Sequence, residues 1–118
     1  LADGSLGGIT TTSANGYSSG GSNVGPYYCS AGHVMVGGQV RAGDHLDYVR
    51  GRCMSIADVA AGSTVGYTSS ADGMGNASGG GDYGDQLCPA GQAITGMIGG
   101  NAQYACRISW ICSDIANN

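Results

Sequence analysis

The feature that most constrains this chain is an internal repeat whose offset, 59 residues, is half of its length of 118. Each half contains a segment that opens with a cysteine and, one residue later, Ala-Gly, and closes on a second cysteine. These segments run from Cys29 to Cys53 and from Cys88 to Cys112. The same offset aligns glycines upstream of both segments, at positions 7 and 66, 16 and 75, 20 and 79, 21 and 80, and 25 and 84. We therefore predict one compact domain, residues 1–118, made of two homologous, pseudo-symmetric repeats, 1–59 and 60–118.

The composition predicts an all-β fold. The chain has 24 glycines and no Phe, and it contains neither Lys nor Glu, so that every cation is Arg and every acid is Asp. Lys and Glu favour helices, whereas Gly, Ser, Thr and Asn favour turns and non-helical backbone. Alternation and turn signals predict strands over 6–12, 33–39, 46–56, 64–68, 92–98 and 105–115, with loops over 13–25 and 69–84.

The five cysteines indicate an oxidising compartment, because a small Gly-rich domain buries only a modest core and disulfides supplement it. Two copies of one unit should close in the same way, so we predict the bridges Cys29–Cys53 and Cys88–Cys112. Cys106 is left over. Strand alternation places it with Ile108 in the core, which predicts a buried free thiol; the alternative is an intermolecular bridge in a homodimer.

Charge and hydropathy disfavour two classes of partner. The net charge is -4, the pI is about 4.5, and the four Arg residues form no continuous run, so nucleic acid is not an expected partner. No apolar stretch approaches the length needed to cross a bilayer, and we expect no membrane insertion. The chain starts at Leu1, as a processed protein would, which together with the cysteines predicts a secreted, extracellular protein.

One polar cluster has the form of a sugar-binding loop, with a glycine and an aspartate separated by three residues at the start of a strand. It consists of Gly43, Asp44, His45 and Asp47, continued by Tyr48. This form resembles the sugar-binding loop of the jacalin-related lectins of the β-prism family. The chemistry is suitable, because a glycine lets backbone approach a hydroxyl and a fixed carboxylate accepts hydrogen bonds from two hydroxyls. The second copy has Ala102 and Cys106 at the positions of the motif, so we expect the site in the first copy alone.

A second resemblance concerns the cysteine segments. The opening Cys88-Pro-Ala-Gly91 followed by Ile94 resembles the vitelline membrane outer layer protein I and dermatopontin groups. The resemblances cover about half of the chain and imply a β-prism-like fold. Because β-prisms contain three sheets and this chain has two copies, a sandwich-like arrangement is the alternative.

Other polar residues have simpler interpretations. The Ala-Gly-His33 sequence resembles the histidine signature of trypsin-like proteases, but the chain has no Gly-Asp-Ser-Gly motif and the repeat places Gln92 at the same position, so a turn explains it. Asp44, His45 and Asp47 are potential metal ligands, although such clusters are commonly turns. Asn76 begins a glycosylation sequon. Seven tyrosines offer rings that stack on sugars.

We therefore expect a secreted carbohydrate-binding, lectin-like protein whose partner is a glycan or polysaccharide, with no catalytic activity, cofactor or metal. The first alternative is a small secreted inhibitor, toxin or matrix protein that binds another protein. The second alternative is an extracellular hydrolase.

Overall fold

The computed structural model describes residues 27–43, 45–101 and 105–115, and it leaves the side chains of residues 101, 105 and 106 undescribed. Strands account for most of the described chain, which confirms the all-β prediction. The elements are β1 His33–Ala42, β2 Leu46–Ser55, α1 Ile56–Ala60, β3 Ser69–Ser70, β4 Met74–Gly75, β5 Gly81–Leu87, β6 Gln92–Asn101 and β7 Ala105–Asp114.

The two long hairpins, β1–β2 and β6–β7, have the same register. Every strand pairing in the second hairpin falls 59 residues after a pairing in the first; for example, Met35 pairs with Cys53, and Ile94 pairs with Cys112. Both hairpins are interrupted at corresponding points by β-bulges, after Met35 and Ile94 and again near the turn. The two hairpins therefore have the same strand register at an offset of 59 residues.

The hairpins differ in what is paired with their outer edges. In sheet A, β5 pairs with the outer edge of β1, and β3 and β4 pair with the outer edge of β2. In sheet B, β6 and β7 pair with each other and with no other strand of the described residues. The segment between the hairpins thus completes the first sheet on both sides.

Both predicted disulfides are present. Cys29 is bonded to Cys53 and Cys88 to Cys112, with a Cα–Cα distance of 5.8 Å in each. In each half a glycine with positive φ, Gly32 or Gly91, forms the turn before the first strand, because a side chain is strained there. Two intramolecular disulfides are typical of extracellular proteins.

The apolar core is small and lies where β1, β2, α1 and β6 meet. Val36, Met54, Val59 and Ala93 form it, and each is buried. Trp110 of β7 packs against Gly38 of β1, where an added Cβ would lie 2.7 Å from the indole ring. The absence of a side chain at this position therefore lets the two sheets approach closely.

Three secondary-structure predictions are wrong. The predicted strand over 64–68 is irregular, and Gly66 within it has φ +99°, which β-strands do not accommodate. The predicted loop over 69–84 contains β3, β4 and the start of β5, because these short strands pair with an existing sheet edge. The strand predicted over 46–56 ends one residue earlier, because Ile56 begins helix α1, which Ser55 caps by accepting a hydrogen bond from the Asp58 N–H. The predicted segments 6–12 and 13–25 lie outside the described residues.

Candidate functional site

The predicted sugar-binding loop lies at the turn of the first hairpin, and Asp47 occupies the β-bulge beside it. Arg41 pairs with Tyr48 and Ala42 with Leu46, which leaves Asp47 as the extra residue of β2. A bulge bends the strand and re-aims the side chain of its extra residue. The turn itself is closed by a hydrogen bond from the Gly43 N–H to the carbonyl of His45, 3.0 Å long.

The structure brings together three of the predicted site residues, Gly43, His45 and Asp47. His45 Nε2 lies 3.5 Å from Asp47 Oδ1, and a Cβ added to Gly43 would be 3.8 Å from Asp47 Oδ2. The side chain of His45 is half-exposed and that of Asp47 is 19% exposed. Asp44 lies outside the described residues. The fifth predicted residue, Tyr48, packs its hydroxyl end against Gly73, where an added Cβ would overlap the ring.

A glycine turn from the second half of the chain partly covers Asp47. An added Cβ on Gly79 would be 2.8 Å from Asp47 Cβ, and one on Gly80 would be 2.5 Å from Asp47 Oδ2. The Asn76 N–H also donates to the Asp47 carbonyl, at 2.6 Å. This turn packs against the Asp47 side chain and leaves only part of it open to solvent.

Arg41 extends the cluster toward a second carboxylate. Its Nε donates to Gly79 O and its Nη2 to Gly80 O, both at 3.0 Å, while Nη1 lies 3.6 Å from Asp82 Oδ2. Asp82 is 43% exposed and Arg41 22% exposed. Asp47 and Asp82 therefore both lie near the turn at Gly79 and Gly80, which Asp47 contacts and to which Arg41, the partner of Asp82, is bonded.

Asp82 is stabilised in its ionised form. The Gly84 N–H donates to Asp82 Oδ1 at 2.8 Å, and this hydrogen bond is the main reason that the pKa of Asp82 is below the ordinary value of an aspartate. Partial desolvation opposes the shift, while the amide of Gln39 and the charges of Arg41 and Arg52 add to it. Asp82 is thus a fixed acceptor at neutral pH.

Sequence reasoning did not find Arg41, Asp82, Gly79 and Gly80 as neighbours of the loop. The only signal was that the Ser-Gly-Gly sequence of residues 78–80 also occurs at 19–21, and a sequence repeat does not show which residue the segment 78–80 contacts. The pairing of β5 with β1 across a large sequence separation places Asp82 opposite Arg41.

The remaining predicted residues have ordinary surroundings. His33 Nδ1 lies 3.0 Å from the carbonyl oxygen of Ala31, in the turn before β1.

In the described part of the chain, no group of three or more His, Cys, Asp or Glu side chains could hold a metal ion. Cys106 is in β7 at the position of Asp47, but its side chain is outside the description, so its burial stays a prediction. Among the described residues, no helix is long and apolar enough to span a membrane.

A separate cleft of about 440 Å³ runs between β5 and β7. Its walls include Tyr83 and Leu87 on one side and residues 107–110 on the other. Residues 40, 42 and 46 of the first hairpin also line the cleft, so it lies between sheet A and β7. Trp110 Nε1 is buried near this cleft and has no hydrogen-bond partner among the described residues.

Comparison with protein families, with characterised proteins and with solved structures finds no match for this chain.

Proposed function

We propose that this protein is a secreted carbohydrate-binding protein and that it binds its glycan at the first hairpin turn, without catalysis or a cofactor. The observation that carries the proposal is the bulged Asp47 beside His45, with a glycine turn packed against the Asp47 side chain. Fixed carboxylates recognise vicinal hydroxyls, because one carboxylate accepts two hydrogen bonds. The disulfides support secretion.

The surrounding groups suit a neutral sugar better than an anion. His45 and Arg41 supply donors, and Asp47 and Asp82 supply acceptors, so a ligand with both donor and acceptor hydroxyls is matched. Arg41 is already bonded to Gly79 O and Gly80 O and lies beside Asp82, which leaves no uncompensated positive charge for a phosphate. In this proposal Gly43 borders the site and Tyr48, packed against Gly73, supports the strand beside it.

We also propose that the two 59-residue halves form equivalent, pseudo-symmetric units. The common register of the hairpins and the matched disulfides support this arrangement. The positions that correspond to Gly43 and Asp47 are Ala102 and Cys106, so the sugar site belongs to the first unit alone.

The experiment is a glycan array probed with the labelled wild-type protein, followed by titration of the best glycan against variants. We expect Asp47→Asn to abolish binding and Asp82→Asn to weaken it, because both remove acceptor charge with little change of shape. Asp114→Asn is the matched control, since Asp114 is exposed in β7 and bonds to Gln92.

Asp47→Asn should also melt close to the wild type, which would separate lost binding from lost folding. Wild-type affinity in Asp47→Asn would refute the proposed site. Indifference of the wild-type protein to every sugar on the array would refute the proposed function and favour the protein-binding alternative.

A further inference from the structure

The two disulfides occupy matching positions on the two long hairpins but differ in solvent exposure. Each bridge joins a cysteine that precedes a hairpin to a cysteine in the second strand of that hairpin. Cys29 and Cys88, which precede the hairpins, are both half-buried. Of the two cysteines in the strands, Cys53 is 0% exposed, whereas Cys112 is half-buried. The first bridge therefore contains a fully buried cysteine, and the second bridge contains none.

The surroundings of the two strands explain this difference. The outer edge of β2 is covered at Cys53, because Ser69 of β3 pairs with it and the Thr68 N–H donates to its carbonyl at 2.8 Å. The outer edge of β7 has no strand partner among the described residues, and Cys112 lines the cleft of about 440 Å³. Cys88 borders a second cavity, of about 280 Å³, beside α1. Both cysteines of the second bridge therefore border open space.

This difference decides how each bridge reacts with a thiol. A disulfide is reduced when a thiolate attacks one of its sulfurs and the other cysteine leaves as a thiolate. In the first bridge Cys53 is shielded, so attack is confined to Cys29 and must release the Cys53 thiolate out of contact with water. An unpaired buried charge is costly. In the second bridge either sulfur is open to attack, and the thiolate that leaves is solvated.

We propose that the Cys88–Cys112 bridge is a thiol–disulfide exchange site that reacts with a dithiol reductant, while Cys29–Cys53 stays closed under the same conditions. One thiolate of the reductant attacks a sulfur of the second bridge, forms a mixed disulfide and releases the other cysteine as a thiolate, which takes up a proton. The second thiol of the reductant then displaces the remaining protein sulfur. Two electrons pass to the protein, which gains two thiols, and the reductant leaves as a disulfide.

Opening the second bridge should act mainly on sheet B. Within the described residues this sheet consists of β6 and β7 alone, whereas sheet A has five strands. A two-stranded hairpin is marginally stable by itself, so its disulfide contributes a larger share of its stability. Sheet B contacts sheet A through Ala93 in the core and through Trp110 against Gly38. We therefore expect reduction to loosen β6 and β7 more than β1 and β2.

Timed reduction tests the exchange site, in a full-length Cys106→Ser background that removes the odd thiol. The protein is treated with dithiothreitol under native conditions, quenched with an alkylating reagent at intervals and mapped by peptide mass spectrometry. We expect Cys88 and Cys112 to be alkylated at least about tenfold faster than Cys29 and Cys53. Equal rates, or faster opening of the first bridge, would overturn the proposal.

The repeat supplies a matched internal control. Both bridges have the same sequence separation, 24, so in strong denaturant the two pairs should be alkylated at similar rates. A preference for the second bridge that persisted in denaturant would also overturn the proposal, because the selectivity would then come from local sequence and not from burial.

Hydrogen exchange of the wild-type cysteine set, measured before and after selective reduction, tests the structural consequence. Amides of β6 and β7 should exchange faster after reduction, and those of β1 and β2 should change less. The variant Cys88→Ser with Cys112→Ser should show the same pattern, and its counterpart is Cys29→Ser with Cys53→Ser. Equal loss of protection in both hairpins after opening of the second bridge would contradict the assignment of sheet B as the redox-sensitive part. Neither experiment depends on glycan binding.

Discussion

Residues 69–87, which include β3, β4 and β5, form a covering segment along both edges of the first hairpin. Arg52 is the side chain whose removal should loosen this covering segment most. Its Nε donates to Asp85 at 2.7 Å, Nη1 to Ser70 at 2.7 Å and Nη2 to Gln39 at 3.2 Å, and its guanidinium lies 4.7 Å from the centre of the Tyr67 ring. Its side chain is 12% exposed. Arg52 therefore fastens the segments around both β3 and β5 to the middle of sheet A.

These contacts set the size of the effect of Arg52→Ala. The hydrogen bond to Asp85 is charge-assisted and contributes about 1.5–3 kcal/mol, and each of the other two contributes about 1 kcal/mol. The aromatic contact adds about 0.5–1 kcal/mol. Asp85 is 30% exposed, so solvent screens part of the ion pair. After that reduction we expect a loss of about 3 kcal/mol, which for a domain of this size lowers the melting temperature by about 12 °C.

The assay is thermal unfolding followed by circular dichroism, with the disulfides intact. Arg50→Ala is the matched control, because Arg50 lies in the same strand and its Nε makes one hydrogen bond, to Ala71 O at 3.0 Å. That variant should lose about 1 kcal/mol. If Arg52→Ala melted at the same temperature as Arg50→Ala, the contacts of Arg52 with Asp85, Ser70 and Gln39 would not be what stabilises the covering segment.

Two further predictions concern the same segment. Gly75→Ala should lower the free energy of unfolding by more than about 3 kcal/mol, because φ is +105° and the added Cβ would overlap the Asp47 carbonyl. Gly84→Ala, at φ +72° with open space around it, should lower it by about 1 kcal/mol. Equal losses of the two variants in urea unfolding would show that the overlap at Gly75 is relieved. The lowered pKa of Asp82 stabilises the fold above the unfolded pKa of about 3.9 and this contribution is lost as pH falls through the lower folded pKa. The melting temperature of the wild type should therefore exceed that of Asp82→Asn at neutral pH by an amount that shrinks below about pH 4, and a constant difference down to low pH would contradict this assignment.

The hairpins and their bridges could be predicted from the sequence, because each is formed by residues that are close together in the chain. The alternation of β2 and β7 and the matched cysteines fix strand positions to within a few residues, and the second bridge follows from the first. The hairpin turn and the nearness of Gly43 to Asp47 also follow from local spacing, since few residues separate them.

The covering segment could not be predicted in this way, because its strands exist only against an edge that is far away in sequence. β3 and β4 are two residues long each and have no periodicity to read. Gly79, Gly80 and Asp82 reach the first hairpin turn through the pairing of β4 with β2 and of β5 with β1. The same long-range contact explains why Asp47, which the motif places in the open, is 19% exposed.

Each disulfide joins two cysteines of the same half of the chain, and this has a consequence for unfolding and refolding. Each bridge closes a local loop, and residues 54–87 are the link between the two loops in the unfolded chain. The oxidised unfolded chain therefore keeps two closed loops joined by this single link. Refolding of the oxidised protein should be governed by one diffusive search, the return of β5 to β1, whose rate depends on the length and stiffness of residues 56–80.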